Sequence, residues 1–165
     1  MSLICTDWEL LLLAVEFEED CKIAGFSGDF RFLSNFYPGP ITYEGILYPT
    51  AEHAYQAAKG TDRAVKESIA ALPSPGRAKR FRQPPREDWA EVRREVMEEI
   101  VDLKFRTHAD LRAKLCATGE CLLEETNTWN DRFWGVCNGE GENHLGKILM
   151  AVRARLRTPA GKISA

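Results

Sequence analysis

The chain has 165 residues, 44% of them hydrophobic and 28% charged, with a formal net charge of -3. That is enough chain to bury one substantial core, and its balance is globular rather than disordered. The slight acidity argues against a protein that coats nucleic acid through a general basic surface.

The first apolar stretch, Leu10 to Val15, is flanked by acids and too short to span a bilayer. Thr6 and Glu9 have capping-box spacing, so an amphipathic helix is predicted there rather than a signal or a membrane segment. Lys22 to Phe36, rich in aromatics and glycine, predicts a strand running into an irregular loop. Ile41 to Tyr48 alternates about Glu44-Gly45 and predicts a β-hairpin.

From Pro49 the period becomes helical. Thr50 caps a helix running to Lys59 and stopped by Gly60. Asp62 to Leu72 predicts a second helix, closed by Pro73, and Ser74-Pro75 opens a short basic helix that ends before Pro84. The longest helix is expected over Arg86 to Thr107, with Trp89, Val92, Val96, Ile100, Leu103 and Phe105 as its apolar stripe. A further helix over Ala109 to Ala117 ends near Gly119, and Cys121 to Glu125 reads as a strand. Asn143 is expected to cap a last helix through Leu156, with a flexible tail over 158–165. Few strands, many helices and no βαβ alternation predict a helix-rich α+β single domain with a small antiparallel sheet. The odd set of five cysteines, with no C-x-x-C pair, predicts reduced thiols in a cytoplasmic protein.

Four constellations carry chemistry. Glu52, Gln56 and Lys59 lie at i, i+4 and i+7, on one helical face, among alanines that allow close packing. A solvated face with a weak Glu-Lys pair is the plain reading; the functional one makes Glu52 an acid, base or cation stabiliser and Lys59 a phosphate binder or nucleophile. The loop Asn130 to Asn143 holds Asp131, Trp134 and Gly135 among further glycines and feeds a helix N-terminus. The basic run Arg77, Lys79, Arg80, Arg82 and Arg86 contains no acid and could hold a phosphate, with Arg80 the chosen candidate. The aromatic loop Phe26 to Phe36 offers Asn35 beside rings that could stack on a base, though most of those rings are expected in the core.

Taken in order, these pieces resemble the YbiA/NADAR family. The resemblance rests on Phe32 to Phe36, Glu52-His53 with Gln56 and Lys59, Trp89 with Val96-Met97, and Thr118-Gly119 with Leu122 to Glu124. It continues through Asp131, Trp134-Gly135, Gly141, Asn143, Leu145-Gly146 and Leu149-Met150. A family domain over 23–157 follows, with a helical extension over 1–22 outside it.

Membership would imply N-glycosidase chemistry without cofactor or metal. The substrate would be a phosphoribosyl pyrimidine of riboflavin biosynthesis or, the preferred reading, ADP-ribose joined to guanine in DNA or RNA. Glu52 and Asp131 would divide cation stabilisation and proton donation, as in glycoside hydrolysis, and Lys59 could instead form a Schiff base. Asn35, Gln56, Arg80, Trp89, Trp134, Gly135 and Asn143 are expected to hold the ligand. The competing reading is a module that binds ADP-ribose or a nucleotide without cleaving it.

Overall fold

The computed structural model describes residues 21–157; the helix expected from Thr6 and the tail from Thr158 lie outside them. A short strand β1 (Lys22–Ala24) leads into a 3-10 helix (Gly28–Leu33). The hairpin follows as β2 (Ile41–Tyr43) and β3 (Ile46–Tyr48), its turn residues Glu44 and Gly45 at φ 48 and 73. Two left-handed residues in succession match the twist of a type I′ hairpin, which explains the Glu-Gly turn.

Helices α1 (Ala51–Ala58), α2 (Arg63–Ala70) and α3 (Pro75–Arg80) each begin on a capping side chain. Thr50 accepts from the His53 N–H, Asp62 from those of Ala64 and Val65, and Ser74 from that of Arg77. Each cap satisfies main-chain donors that the first helical turn leaves open. After α4 (Trp89–Thr107) and α5 (Ala109–Ala117) come β4 (Leu122–Glu124), β5 (Thr126–Asn127), β6 (Val136–Cys137) and α6 (His144–Arg157). Gly119, at φ 59, ends α5 in the left-handed conformation that glycine adopts without a Cβ clash. No described helix is long and apolar enough to cross a membrane.

All eight residues of α1 are buried, and it packs against α2, α3, α4 and the hairpin. Ala51, Ala54, Ala57 and Ala58 let these neighbours close around it. Helix α4 is covered by α1 and β2 as well as by α5 and α6, so its buried arc is wider than one stripe. Val96, Ile100 and Phe105 are buried as predicted, Trp89, Val92 and Leu103 only partly, and Met97, Val101 and Lys104 join the core. Full burial of a side chain such as Phe105 or Leu149 contributes about 1.5–3 kcal/mol.

Lys104 is 1% exposed and donates to the carbonyls of Phe32 and Ser34 at 2.6 and 2.8 Å. Burial pulls its ammonium down to about 7. It ties the end of the 3-10 helix to α4, and with it the segment that carries Asn35.

Two expectations are corrected. The hairpin is the small antiparallel sheet of the helix-rich α+β fold, but it is not the whole of the strand pairing among the described residues: β1 pairs with β4, and β5 with β6, in parallel. No turn chemistry announces a pairing between segments 100 residues apart. The same pairing brings Cys21 and Cys121 together, Cα atoms 4.5 Å apart, in a disulfide, so the thiols are not all reduced; Cys116 and Cys137 remain free.

Candidate active site

Because α1 is enclosed, its polar residues are buried with it. Glu52 is 7% exposed and Gln56 6%; the Gln56 amide donates to Glu52 Oε1 at 2.7 Å. Burial raises the Glu52 carboxyl above the usual range, opposed by the Gln56 donor and by Lys79 and Lys59, and reinforced by Asp131. One turn on, Lys59 is half-buried, its ammonium 5.5 Å from the centre of the Tyr55 ring. Burial pulls that ammonium below the usual lysine range, and Arg82 and Lys79 push the same way against Glu52. The face predicted from spacing is therefore a buried acid and a half-buried amine within each other's field.

His53, next along the helix, belongs to the scaffold. It lies 2.8 Å from the Thr50 hydroxyl through Nδ1 and 3.2 Å from the Leu72 carbonyl through Nε2. A carbonyl cannot donate, so Nε2 carries the proton, and burial holds the ring's pKa down. Among the described residues no three His, Cys, Asp or Glu side chains are placed to hold a metal ion.

Tyr55, on the same face as Glu52, joins α1 to two other elements. Its ring meets that of Trp89 at 5.2 Å and the edge of Trp134 at 5.5 Å. Trp134 in turn contacts Phe133, whose ring lies 3.6 Å from the Arg93 guanidinium carbon. The two tryptophans wall the Tyr55 side of the site, and this aromatic packing joins α4 and the loop after β5 to α1.

The loop folds on itself through asparagines and glycines. Asp131 Oδ1 accepts from the main-chain N–H groups of Phe133 and Trp134, at 3.2 and 2.9 Å. Asn127 donates to the Asp131 carbonyl at 2.7 Å and accepts from its N–H at 3.0 Å. A Cβ on Gly135 would strike the Glu125 carbonyl oxygen and lie 2.9 Å from Asn127 Nδ2. Close internal packing, rather than approach to a ligand, therefore requires that glycine.

Asn143 also differs from expectation. Its carbonyl accepts the first helical bond of α6 from Lys147, but its side chain does not cap that helix. The amide instead donates to the Leu123 carbonyl at 2.9 Å and accepts from the Glu125 N–H at 3.1 Å. Asn143 holds the end of β4 in place. At Asn35, the carbonyl accepts from the Glu52 N–H at 3.0 Å and Nδ2 approaches Met97 Sδ at 3.2 Å. Its Oδ1 is buried and meets no donor among the described residues, an acceptor that suits a ligand N–H or O–H.

Within the basic run, the structure selects a neighbour of the chosen residue. Arg80 and Lys79 are both exposed, but Lys79 acts on the charges of Glu52, Lys59 and Glu125 and Arg80 does not figure among the main charges there. The Lys79 ammonium lies over the rings of Trp129 and Phe36, at 5.1 and 5.7 Å. A six-residue helix carrying Arg77, Lys79 and Arg80 gives no periodic signal as to which cation faces the site.

Glu125 was missed altogether. It sits just past β4, where strand alternation gives no reason to prefer it to Glu124, yet burial and Asp131 push its carboxyl up to about 7 against Lys79. The arrangement thus gathers Glu52, Lys59, Lys79, Asp131 and Glu125 between α1, α3 and the loop after β5. Two carboxyls of raised pKa beside amines and an aromatic wall suit the breaking of a bond that builds positive charge on a sugar.

Comparison with known proteins agrees with this geometry. Residues 25–157 match the model of the NADAR domain. Over 135 residues the chain is 41% identical to the N-glycosidase YbiA of Shigella boydii, covering 79% of this chain and 84% of that protein. It is likewise 41% identical over 134 residues to a riboflavin biosynthesis protein of Vibrio vulnificus, covering 78% of this chain and 36% of that larger protein. The NMR structure of Escherichia coli YbiA superposes with a TM-score of 0.74 at 39% identity, covering 83% of this chain and 85% of that one. Fold, length of match and identity agree, and the chain belongs to the NADAR family.

Proposed function

We propose that this protein is an N-glycosidase that hydrolyses the C1′–N bond of a phosphate-bearing ribosylated base. The observation that carries the reading is the buried Glu52, oriented by Gln56 and two turns before the half-buried Lys59 on the same helical face. As the C1′–N bond lengthens, the ribose takes on oxocarbenium character, and a carboxylate held in a dry site stabilises that charge far better than one in water. Asn35 Oδ1 and the Trp89–Tyr55–Trp134 wall position the sugar and base.

Lys59 supports a covalent variant of the same reaction. A lysine held below its ordinary pKa keeps more of the neutral amine, which can attack C1′, open the ribose and leave an imine for water to resolve. Of possible substrates, ADP-ribose joined to guanine in DNA or RNA is preferred. Lys79 and Arg82 near Lys59 favour more than one phosphate, and the exposed Trp129 beside them offers a stacking face. A ribosylaminopyrimidine phosphate is the second reading, favoured by the riboflavin-related name of the Vibrio relative.

The test offers purified protein an ADP-ribosyl-guanine oligonucleotide and, separately, the pyrimidine phosphate, with products read by mass spectrometry. Free ADP-ribose with intact guanine supports the first substrate, and ribose 5-phosphate the second. Binding of ADP-ribose without turnover of either would replace the enzyme by a binding module. Borohydride reduction during turnover, followed by peptide mapping, would trap a sugar on Lys59 if the covalent route operates.

A further inference from the structure

The glycosidase reading leaves one proton unassigned. A departing base nitrogen is a poor leaving group until protonated, whether water or Lys59 attacks C1′. Burial raises the Glu52 carboxyl, but Gln56 already donates to its Oε1 at 2.7 Å and both Lys79 and Lys59 oppose the rise, which suits it better to accept a proton than to give one. Asp131 is committed to its loop, with Oδ1 accepting two main-chain N–H groups.

Glu125 differs from both. Its Oε2 is fully buried and meets no donor among the described residues. Its main chain is clamped at both ends: the N–H donates to Asn143 Oδ1 at 3.1 Å, and the carbonyl accepts from the Val136 N–H at 2.8 Å. Its Cγ lies 3.0 Å from where a Gly135 Cβ would stand, so the glycine makes room for this side chain. The carboxyl lies in the field of the same two charges, Lys79 and Asp131, that act on Glu52.

We propose that Glu125 is the acid that protonates the leaving base, and that Asp131 serves as its charged neighbour rather than as the donor. The assignment rests on the glycosidase reading. As the C1′–N bond breaks, its electron pair stays on nitrogen, which takes the proton from Glu125. Water, or Lys59 and then water, adds to C1′, and the proton shed passes to the Glu52 carboxylate; exchange with solvent resets both carboxyls. Burial and the Asp131 charge keep Glu125 protonated near neutrality.

The test compares E125Q with D131N and the parent on two substrates. One is the ribosylated base that the parent turns over; the other is 4-nitrophenyl ribofuranoside 5-phosphate, whose leaving group departs as an anion and needs no proton. E125Q is expected to lose about 10²–10⁴-fold on the base, to lose at least tenfold less on the nitrophenyl substrate, and to lose the alkaline limb of its pH–rate profile. D131N, which removes the charge that helps keep Glu125 protonated, is expected to move the alkaline limb to lower pH and to slow the base more than the nitrophenyl substrate. Carboxyl-labelled NMR of the parent supplies a readout independent of any variant: the Glu125 carboxyl is expected to titrate near neutrality.

Equal losses of E125Q on both substrates, an unchanged alkaline limb, or a Glu125 carboxyl that titrates below pH ~5, near the ordinary Glu range, would each overturn the assignment. Those results would leave the glycosidase reading standing. Failure of the parent on every ribosylated base would remove both.

Discussion

Substituting alanine for Gly135 tests the loop that brings the acids to the site. The backbone at Gly135 lies outside the left-handed region, so the cost is one of space rather than conformation. The new methyl would collide with the Glu125 carbonyl oxygen and stand 2.9 Å from Asn127 Nδ2 and 3.0 Å from Glu125 Cγ. Two of these neighbours cannot yield freely. The carbonyl accepts from Val136 at 2.8 Å, and the Asn127 amide holds the Asp131 carbonyl at 2.7 Å.

Overpacking of this kind costs about 1–3 kcal/mol, and loosening one of those hydrogen bonds adds about 1 kcal/mol. A total of about 2–4 kcal/mol, at roughly 3 °C per kcal/mol for a chain of this size, lowers the melting midpoint by about 6–12 °C. Because the displaced atoms carry Glu125 and Asp131, kcat is expected to fall by about 10²-fold, the scale of a misplacement near 1 Å. Thermal melts followed by near-ultraviolet circular dichroism, with turnover measured well below the midpoint, check both numbers. A midpoint within about 2 °C of the parent and turnover within about twofold would refute the claim that the loop is close-packed around Glu125.

Glu52→Gln keeps the shape and the burial but removes the charge; turnover is expected to fall by about 10²–10⁴-fold while calorimetry still detects ADP-ribose binding. The raised Glu125 pKa fixes a sign. Between the ordinary Glu range and about 7 the folded protein binds more protons than the unfolded chain, so stability from this group is present below that window and is lost as pH rises through it. E125Q removes the dependence, and urea titrations should show it gaining on the parent by on the order of 3 kcal/mol between pH 5 and 8. Lys104 works the other way: depressed to about 7, it costs stability below that pH, and the cost lifts as pH rises toward the ordinary lysine range. K104M should abolish this rise between pH 7 and 10 in the same titrations. The Cys21–Cys121 bridge spans 100 residues, and reducing it is expected to cost about 2–4 kcal/mol, seen as a lower melting midpoint with dithiothreitol. An unchanged midpoint, or thiol counts showing both cysteines free in the untreated protein, would contradict the bridge.

Much of the local structure was legible in the sequence because local chemistry dictates it. Thr50, Asp62 and Ser74 announced three helix starts, Gly119 a stop, and Glu44-Gly45 a hairpin, each through bonds or torsions within a few residues of itself. The helical face of Glu52, Gln56 and Lys59 follows from the 3.6-residue period alone. What the period cannot say is how that face is covered. Enclosure of α1 by three helices and a hairpin turns a weak surface pair into a buried acid beside a depressed amine.

Features decided across long stretches of chain stayed hidden for the same reason. The parallel β1–β4 pairing, the disulfide beside it and the diversion of Asn143 to the end of β4 all join segments that share no local signal. Glu124 and Glu125 are chemically identical neighbours. Only the tertiary fold buries Oε2 of the second with no donor among the described residues and sets that carboxyl in the field of Asp131, and so separates an acid that can hold a proton from one that pairs with Lys22 at 2.8 Å.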